Sequence, residues 1–123
     1  MASLRDLGEL DLQAIWDGAA ARSVHGERLT LAVVELDPGS VVPEHSHDHE
    51  QLGIVLRGGV TFRVGDETRA LTAGGTWCIP PDVPHEVHVG PEGAVVIDAF
   101  APRRDDWRDR ERLERPPGWP AAG

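Results

Sequence analysis

Three histidines and one glutamine carry the chemistry this sequence offers. His45 and His47 stand one residue apart, Gln51 follows shortly after, and His85 comes alone behind the rigid stretch Pro80-Pro81-Asp82-Val83-Pro84. Successive residues of a strand point to opposite faces, so a His-x-His pair at the start of a strand shares one face and can converge on a single ion. Gln51 keeps that parity if the chain re-enters a strand after a turn, and Asp48-His49-Glu50 is polar enough to be the turn. Whether His49 is a ligand or only a turn residue stays open. The apolar run Trp77-Cys78-Ile79, followed by the proline corner, aims His85 onto a new strand. Three imidazoles and one oxygen suit a divalent ion of the zinc, nickel, iron or manganese group.

A carboxylate is the other candidate. In Ala94-Val95-Val96-Ile97-Asp98-Ala99-Phe100 a single acid sits among apolar residues, and Val96, Asp98 and Phe100 share a face. Burying an unpaired carboxylate raises its pKa and is costly. Asp98 is therefore either ion-paired with Arg57, Arg63 or Arg104, or it lies in the interior beside the ion as a general acid/base.

These residues need a β framework to hold them. Short apolar or alternating runs cover 29–36, 51–57, 60–64, 67–71, 76–79, 86–89 and 94–100, separated by Asp37-Pro38-Gly39, Gly58-Gly59, Gly65-Asp66, Ala73-Gly74-Gly75, Pro80-Pro81-Asp82 and Gly90-Pro91-Glu92-Gly93. Regular short strands with Gly and Pro punctuation predict a sandwich or barrel. Phe62, Trp77 and Phe100 should anchor its interior, with Val87 and Val89 inside and Glu86 and His88 outside. His25 reads as a surface histidine in a loop. Residues 1–20 suggest a short helical turn ending at Asp17-Gly18, and the charged tail 103–123 reads as a solvated helix. The whole, 1–123, is one domain with a core over about 29–101.

Composition excludes several partners. The 123 residues carry a net charge of −9 with no basic run, all twelve basic residues being Arg. Phosphate binding needs clustered cations, so nucleic acid is not an expected partner. Cys78 is the single cysteine; it allows no intrachain disulfide and reads as a small buried hydrophobe. There is no apolar leader and no run of the ~20 residues needed to span a bilayer, which predicts a soluble cytoplasmic protein with no membrane contact.

Two spacings carry a family resemblance. Gly39-x5-His45-x-His47-x3-Gln51-x6-Gly58 and Gly74-x5-Pro80-x4-His85 resemble the two motifs of the cupin superfamily. The resemblance implies a jelly-roll β-barrel with a metal held by the first-motif His pair, a third ligand and the second-motif His. Gln51 stands where the family most often has Glu, and Asp82 and Val89 replace the usual Gly and Asn of the second motif. A neutral Gln leaves the ion its full charge, which favours Lewis-acid work over redox tuning.

With Ile97-Asp98-Ala99-Phe100-Ala101-Pro102-Arg103-Arg104 added, the sequence resembles the small single-domain cupins that linearise 4,5-unsaturated uronates in pectin and alginate breakdown. That likeness implies an Asp-x-Phe-x-x-x-Arg segment facing the sugar, here Asp98, Phe100 and Arg104. It predicts a metal-dependent enzyme that opens and tautomerises a small oxygenated acid. Similarity to cupin-type aromatic polyketide cyclases, to metal-dependent dioxygenases and to non-catalytic sugar-binding cupins provides the alternatives. On 51–57 the inward face is Gln51, Gly53 and Val55. Leu52, Ile54 and Leu56 then face out and need cover, from an N-terminal strand or from a second subunit; cupins often pair through such sheets, so a homodimer is expected.

Overall fold

The computed structural model describes residues 2–120 and is almost entirely β. The strands are β1 (Leu12–Trp16), β2 (Ala19–His25), β3 (Thr30–Leu36), β4 (Val41–His45), β5 (Glu50–Val64), β6 (Glu67–Leu71), β7 (Thr76–Ile79), β8 (His85–Ala101) and β9 (Arg112–Leu113). All pairs are antiparallel, in the order β6-β5-β8-β3-β2-β1-β9, with β4 also on β8 and β7 also on β5.

The two long strands organise the barrel. β8 pairs with β5 along one edge and with β4 and then β3 along the other, while β5 pairs with β7 and then β6 on its free edge. Register shifts between Val55 and Arg57 and between Gly58 and Val60 bend this central ribbon. Bulges of this kind increase the local twist and let one strand serve two faces of a rolled sheet. At the bend Gly58 has φ +80° and Gly93 has φ +75°, and a Cβ on Gly58 would collide with the Gly93 carbonyl. The result is a jelly-roll barrel with inward Val34, Val42, Val55, Val60, Phe62, Trp77, Ile79, Val87, Val89, Val96 and Phe100.

Several expectations change. The runs 51–57 and 60–64 are one strand, and so are 86–89 and 94–100, because the glycines between them bend the ladder without ending it. The chain before residue 29 is not a helical turn ending at Asp17-Gly18; a 3₁₀ turn at Leu7–Glu9 leads into the β1–β2 hairpin, and Gly18 supplies the left-handed residue of its turn at φ +84°. A register shift between Ala14 and Trp16 buries both Leu12 and Ile15. That three-residue spacing imitates a helix.

The tail is not a helix either. It makes a 3₁₀ turn at Asp105–Trp107 and then adds β9 to β1. Buried Arg22 pins it by donating to the carbonyls of Leu10 and Arg115, both at 2.6 Å. Cys78 is exposed rather than buried, since Trp77 and Ile79 take the inward positions of β7. His25 closes β2 and is half-buried, with Nδ1 2.8 Å from the Thr30 hydroxyl, whereas His88 is exposed beside Glu86 as expected. No helix among the described residues is long and apolar enough to cross a membrane.

Candidate metal centre and its cavity

The three predicted histidines meet at one end of the barrel. His45 ends β4 and pairs in register with His85, the first residue of β8. The His-x-His pair therefore closes a strand rather than opening one, and His47 reaches the same point from the connection to β5. That connection is tied to the proline corner by a hydrogen bond from the Asp82 N–H to the His47 carbonyl, 2.8 Å. Asp82 has φ +67°, a left-handed conformation that Asp tolerates better than most residues and glycine best. Ring centroids are 4.2 Å apart for His45 and His85 and 4.9 Å for His47 and His85. One ligand atom from each of His45, His47 and His85 lies within 4.8 Å of the others.

The backbone orients the imidazoles. Nδ1 of His45, His47 and His85 lies 2.9, 3.0 and 2.9 Å from the carbonyls of Pro43, His49 and Val83. A carbonyl only accepts, so each Nδ1 carries the proton and each Nε2 offers a lone pair. Nε2 of His85 is buried with no hydrogen-bond partner among the described residues. Burial lowers the His47 pKa and brings His85 down to about 4, with the positive charge of Arg104 adding to both effects. Neutral imidazoles with converging lone pairs are the form a cation binds.

Gln51 approaches the group from the second position of β5. Its Oε1 lies 3.0 Å from Nε2 of His47. With Nδ1 of that histidine already donating, two lone pairs face each other. Atoms sharing one ion at ~2.1 Å stand about 3.0–3.4 Å apart, so a cation between them resolves the conflict. The residues present fit a divalent ion. His49 stays outside the group: its carbonyl accepts from His47, and its own Nδ1 is buried without a hydrogen bond.

Asp98 lies beside this group on the inner face of β8. Its Oδ1 accepts from Gln51 Nε2 at 2.9 Å and from Trp77 Nε1 at 2.8 Å. Among the described residues none of the three arginines considered for it pairs with it: Arg57 donates to the Gly118 carbonyl, Arg63 to Glu44, and Arg104 to Asp106 at 2.9 Å. Burial pushes the Asp98 pKa up to about 6, the two hydrogen bonds opposing the shift.

Phe100 is buried on the same face, and Arg104 lays its guanidinium 4.8 Å from the Phe100 ring centroid and 4.4 Å from that of Trp107. All of these line one cleft, open to solvent at its mouth. Sequence reasoning missed part of its rim. Ile15 and Trp16 come from β1, and Trp107 comes from the tail. The Trp16 ring lies 4.9 Å from that of His45. A lone aromatic within the charged segment 103–115 was the available signal for Trp107.

Comparison with known proteins agrees with this fold. The chain is 31% identical over 80 residues to the pectin degradation protein KdgF of Dickeya dadantii, covering 64% of this chain and 73% of that protein. It is 36% identical over 73 residues to H2HPP isomerase of Bacillus subtilis, covering 57% of this chain but only 30% of that relative. The solved structure of KdgF from Halomonas sp. superposes with a TM-score of 0.79 at 30% identity, covering 86% of this chain and 98% of that one. The cupin domain model matches residues 32–100, which hold His45, His47, Gln51, His85 and Asp98, and by that match the chain belongs to the cupin family.

Proposed function

We propose that this cupin is a metal-dependent enzyme catalysing non-redox ring opening and tautomerisation of a small oxygenated acid, with a 4,5-unsaturated uronate as the first substrate to test. The observation that carries this reading is the Gln51 amide, whose oxygen faces the His47 imidazole while its nitrogen holds the buried Asp98 carboxylate. An ion site and a proton carrier are thereby fixed within one side chain of each other. His45, His47, Gln51 and His85 hold the ion. When bound, a divalent ion supplies Lewis acidity toward the oxygens of a polyoxygenated substrate.

The remaining steps belong to the chain's own groups. Asp98 delivers or removes a proton through Oδ2, which takes no hydrogen bond from the described residues. Arg104 lies flat over Phe100 and Trp107 with Nε and Nη2 on the Asp106 carboxylate, which leaves Nη1 as the donor for a substrate carboxylate. Phe100 closes the apolar side of the cleft and keeps water from the reacting atoms. The relatives named for pectin degradation and for isomerisation support this reaction class.

The test follows the conjugated absorbance of unsaturated galacturonate. With the protein added it should decay faster than the uncatalysed background, stop on chelation, and continue without oxygen. Strict dependence on O₂ would instead favour the dioxygenase reading. Inertness toward every uronate would favour the polyketide cyclase or, if ligands bind unchanged, a binding module.

The outer sheet face supports a homodimer. Val24, Leu31, Ala99, Leu52 and Cys78 are register partners in one outward row across β2, β3, β8, β5 and β7. Val24, Leu31 and Leu52 are 46–48% exposed. β1 and β2 extend the sheet sideways without covering it, so a second copy is the proposed cover. Ile54→Glu should shift the mass measured by light scattering from dimer to monomer, because the carboxylate would be desolvated without a partner. A monomeric wild type would refute the pairing.

A further inference from the structure

The carboxylate beside the ion site is held by a side chain that reaches across a strand. Trp77 on β7, Gly53 on β5 and Asp98 on β8 are register partners in one row of the inner face. The indole crosses Gly53 to place Nε1 2.8 Å from Asp98 Oδ1. A Cβ on residue 53 would overlap that ring. Phe62 packs against the indole with ring centroids 4.8 Å apart, so the ring has little room to turn aside. The glycine is what lets the contact exist.

An indole N–H donates and cannot accept. Asp98 Oδ1 is therefore an acceptor whether or not the carboxyl holds a proton, and any proton lies on Oδ2. Gln51 meets the same Oδ1 at 2.9 Å, so the arm of its amide found there is the NH₂ group. The other arm, the carbonyl oxygen, is then turned toward His47, 3.0 Å away. An amide turned the other way would offer the cation two N–H groups and no lone pair.

We propose that Trp77 is a positioning residue that fixes the direction of the Trp77–Asp98–Gln51 chain, so that Gln51 presents oxygen to a divalent ion and Asp98 keeps Oδ2 for the proton it moves. This rests on the metal and acid roles proposed above. Gly53 belongs to the same device, as the space through which the indole passes. Trp77 also forms part of the cleft wall, but the role assigned to it here is exerted through Asp98 and Gln51.

Trp77→Phe removes the N–H and keeps an aromatic ring. Measured on the full chain by competition for zinc with a chromophoric chelator, its affinity should fall roughly 10- to 100-fold, the scale for losing an outer partner of a metal ligand. Turnover of unsaturated galacturonate should fall with KM little changed.

An activity-free arm uses the indole N–H signals of the metal-free protein, which has four tryptophans. The signal missing in Trp77→Phe identifies Trp77. It should move in Asp98→Ala and stay near its wild-type position in Asp98→Asn, whose amide oxygen can replace Oδ1. Zinc affinity unchanged in Trp77→Phe would overturn the proposal, as would an indole signal indifferent to Asp98→Ala. Should Trp77→Phe fail to fold, Gly53→Ala replaces it in the zinc measurement, with the same loss expected, and the Trp77 signal is assigned by through-space transfer from Phe62. A wild type that binds no zinc brings down the metal centre itself and the Gln51 half of the proposal with it, while the indole signal separately decides the Trp77–Asp98 contact.

Discussion

Loss of His47 or His85 should strip the divalent ion. Elemental analysis of His47→Ala and His85→Ala, purified without a metal-binding tag, should find little of the ion that the wild type retains. Affinity should fall by more than the roughly 10- to 100-fold that loss of an outer partner costs. Each histidine spends Nδ1 on a backbone carbonyl and offers only Nε2 inward. Deleting one therefore removes a whole ligand and leaves no other nitrogen of that residue to replace it.

Stability gives the same answer independently. An ion that binds only the folded chain stabilises it by about 2.7 kcal/mol at a hundredfold excess over its Kd. Adding metal to the stripped wild type should thus raise the melting temperature, and the two variants should show no such rise. Undiminished metal in both variants would dismantle the site.

The second large effect belongs to Asp98. Asp98→Asn should reduce kcat by about 10²- to 10⁴-fold, the range for losing a positioned acid/base. The substitution is a sharp one because Asn can keep the oxygen that accepts from Trp77 and Gln51 while replacing Oδ2 with a group that moves no proton. Metal content should therefore survive, and KM should change little. Asp98→Ala removes both oxygens and should weaken ion binding as well as turnover. Turnover preserved in Asp98→Asn would remove this residue from the chemistry and leave it a structural role between Trp77 and Gln51.

Most of the candidate site could be read from residue types and spacing, whereas the walls around it could not. The spacing of His45, His47, Gln51 and His85 is one that the barrel turns into proximity, but strand parity accounts for only part of it. Strand parity does not carry His47 to the cluster; the turn after β4 does. Asp98 stood out because an acid among valines and isoleucines has few inexpensive explanations.

The strands at 67–71 and 76–79 have the bounds expected for them, since alternation and glycine turns both mark their ends. Alternation failed where a bulge interrupts it, as between Ala14 and Trp16, where Leu12 and Ile15 are both buried. Glycine failed as punctuation in β5 and β8 because a bent ladder needs it as much as a turn does. Cys78 was misplaced by hydrophobicity alone, when its two neighbours on β7 had already taken the interior. The partners of Asp98 were beyond reach, for nothing in sequence separation announces that Trp77 passes over Gly53.

The cleft is assembled from two kinds of chain segment. Residues within 32–100 provide every group proposed to hold the ion or move the proton. Ile15, Trp16, Arg104 and Trp107, which also line the cleft, lie outside that stretch on the first strand and the tail, joined to each other through β9. The groups proposed for reactivity and part of the cleft wall thus lie on separate pieces of polypeptide. Exchanging the flanking pieces should therefore change which oxygenated acid reaches the proposed proton-moving groups without changing those groups themselves.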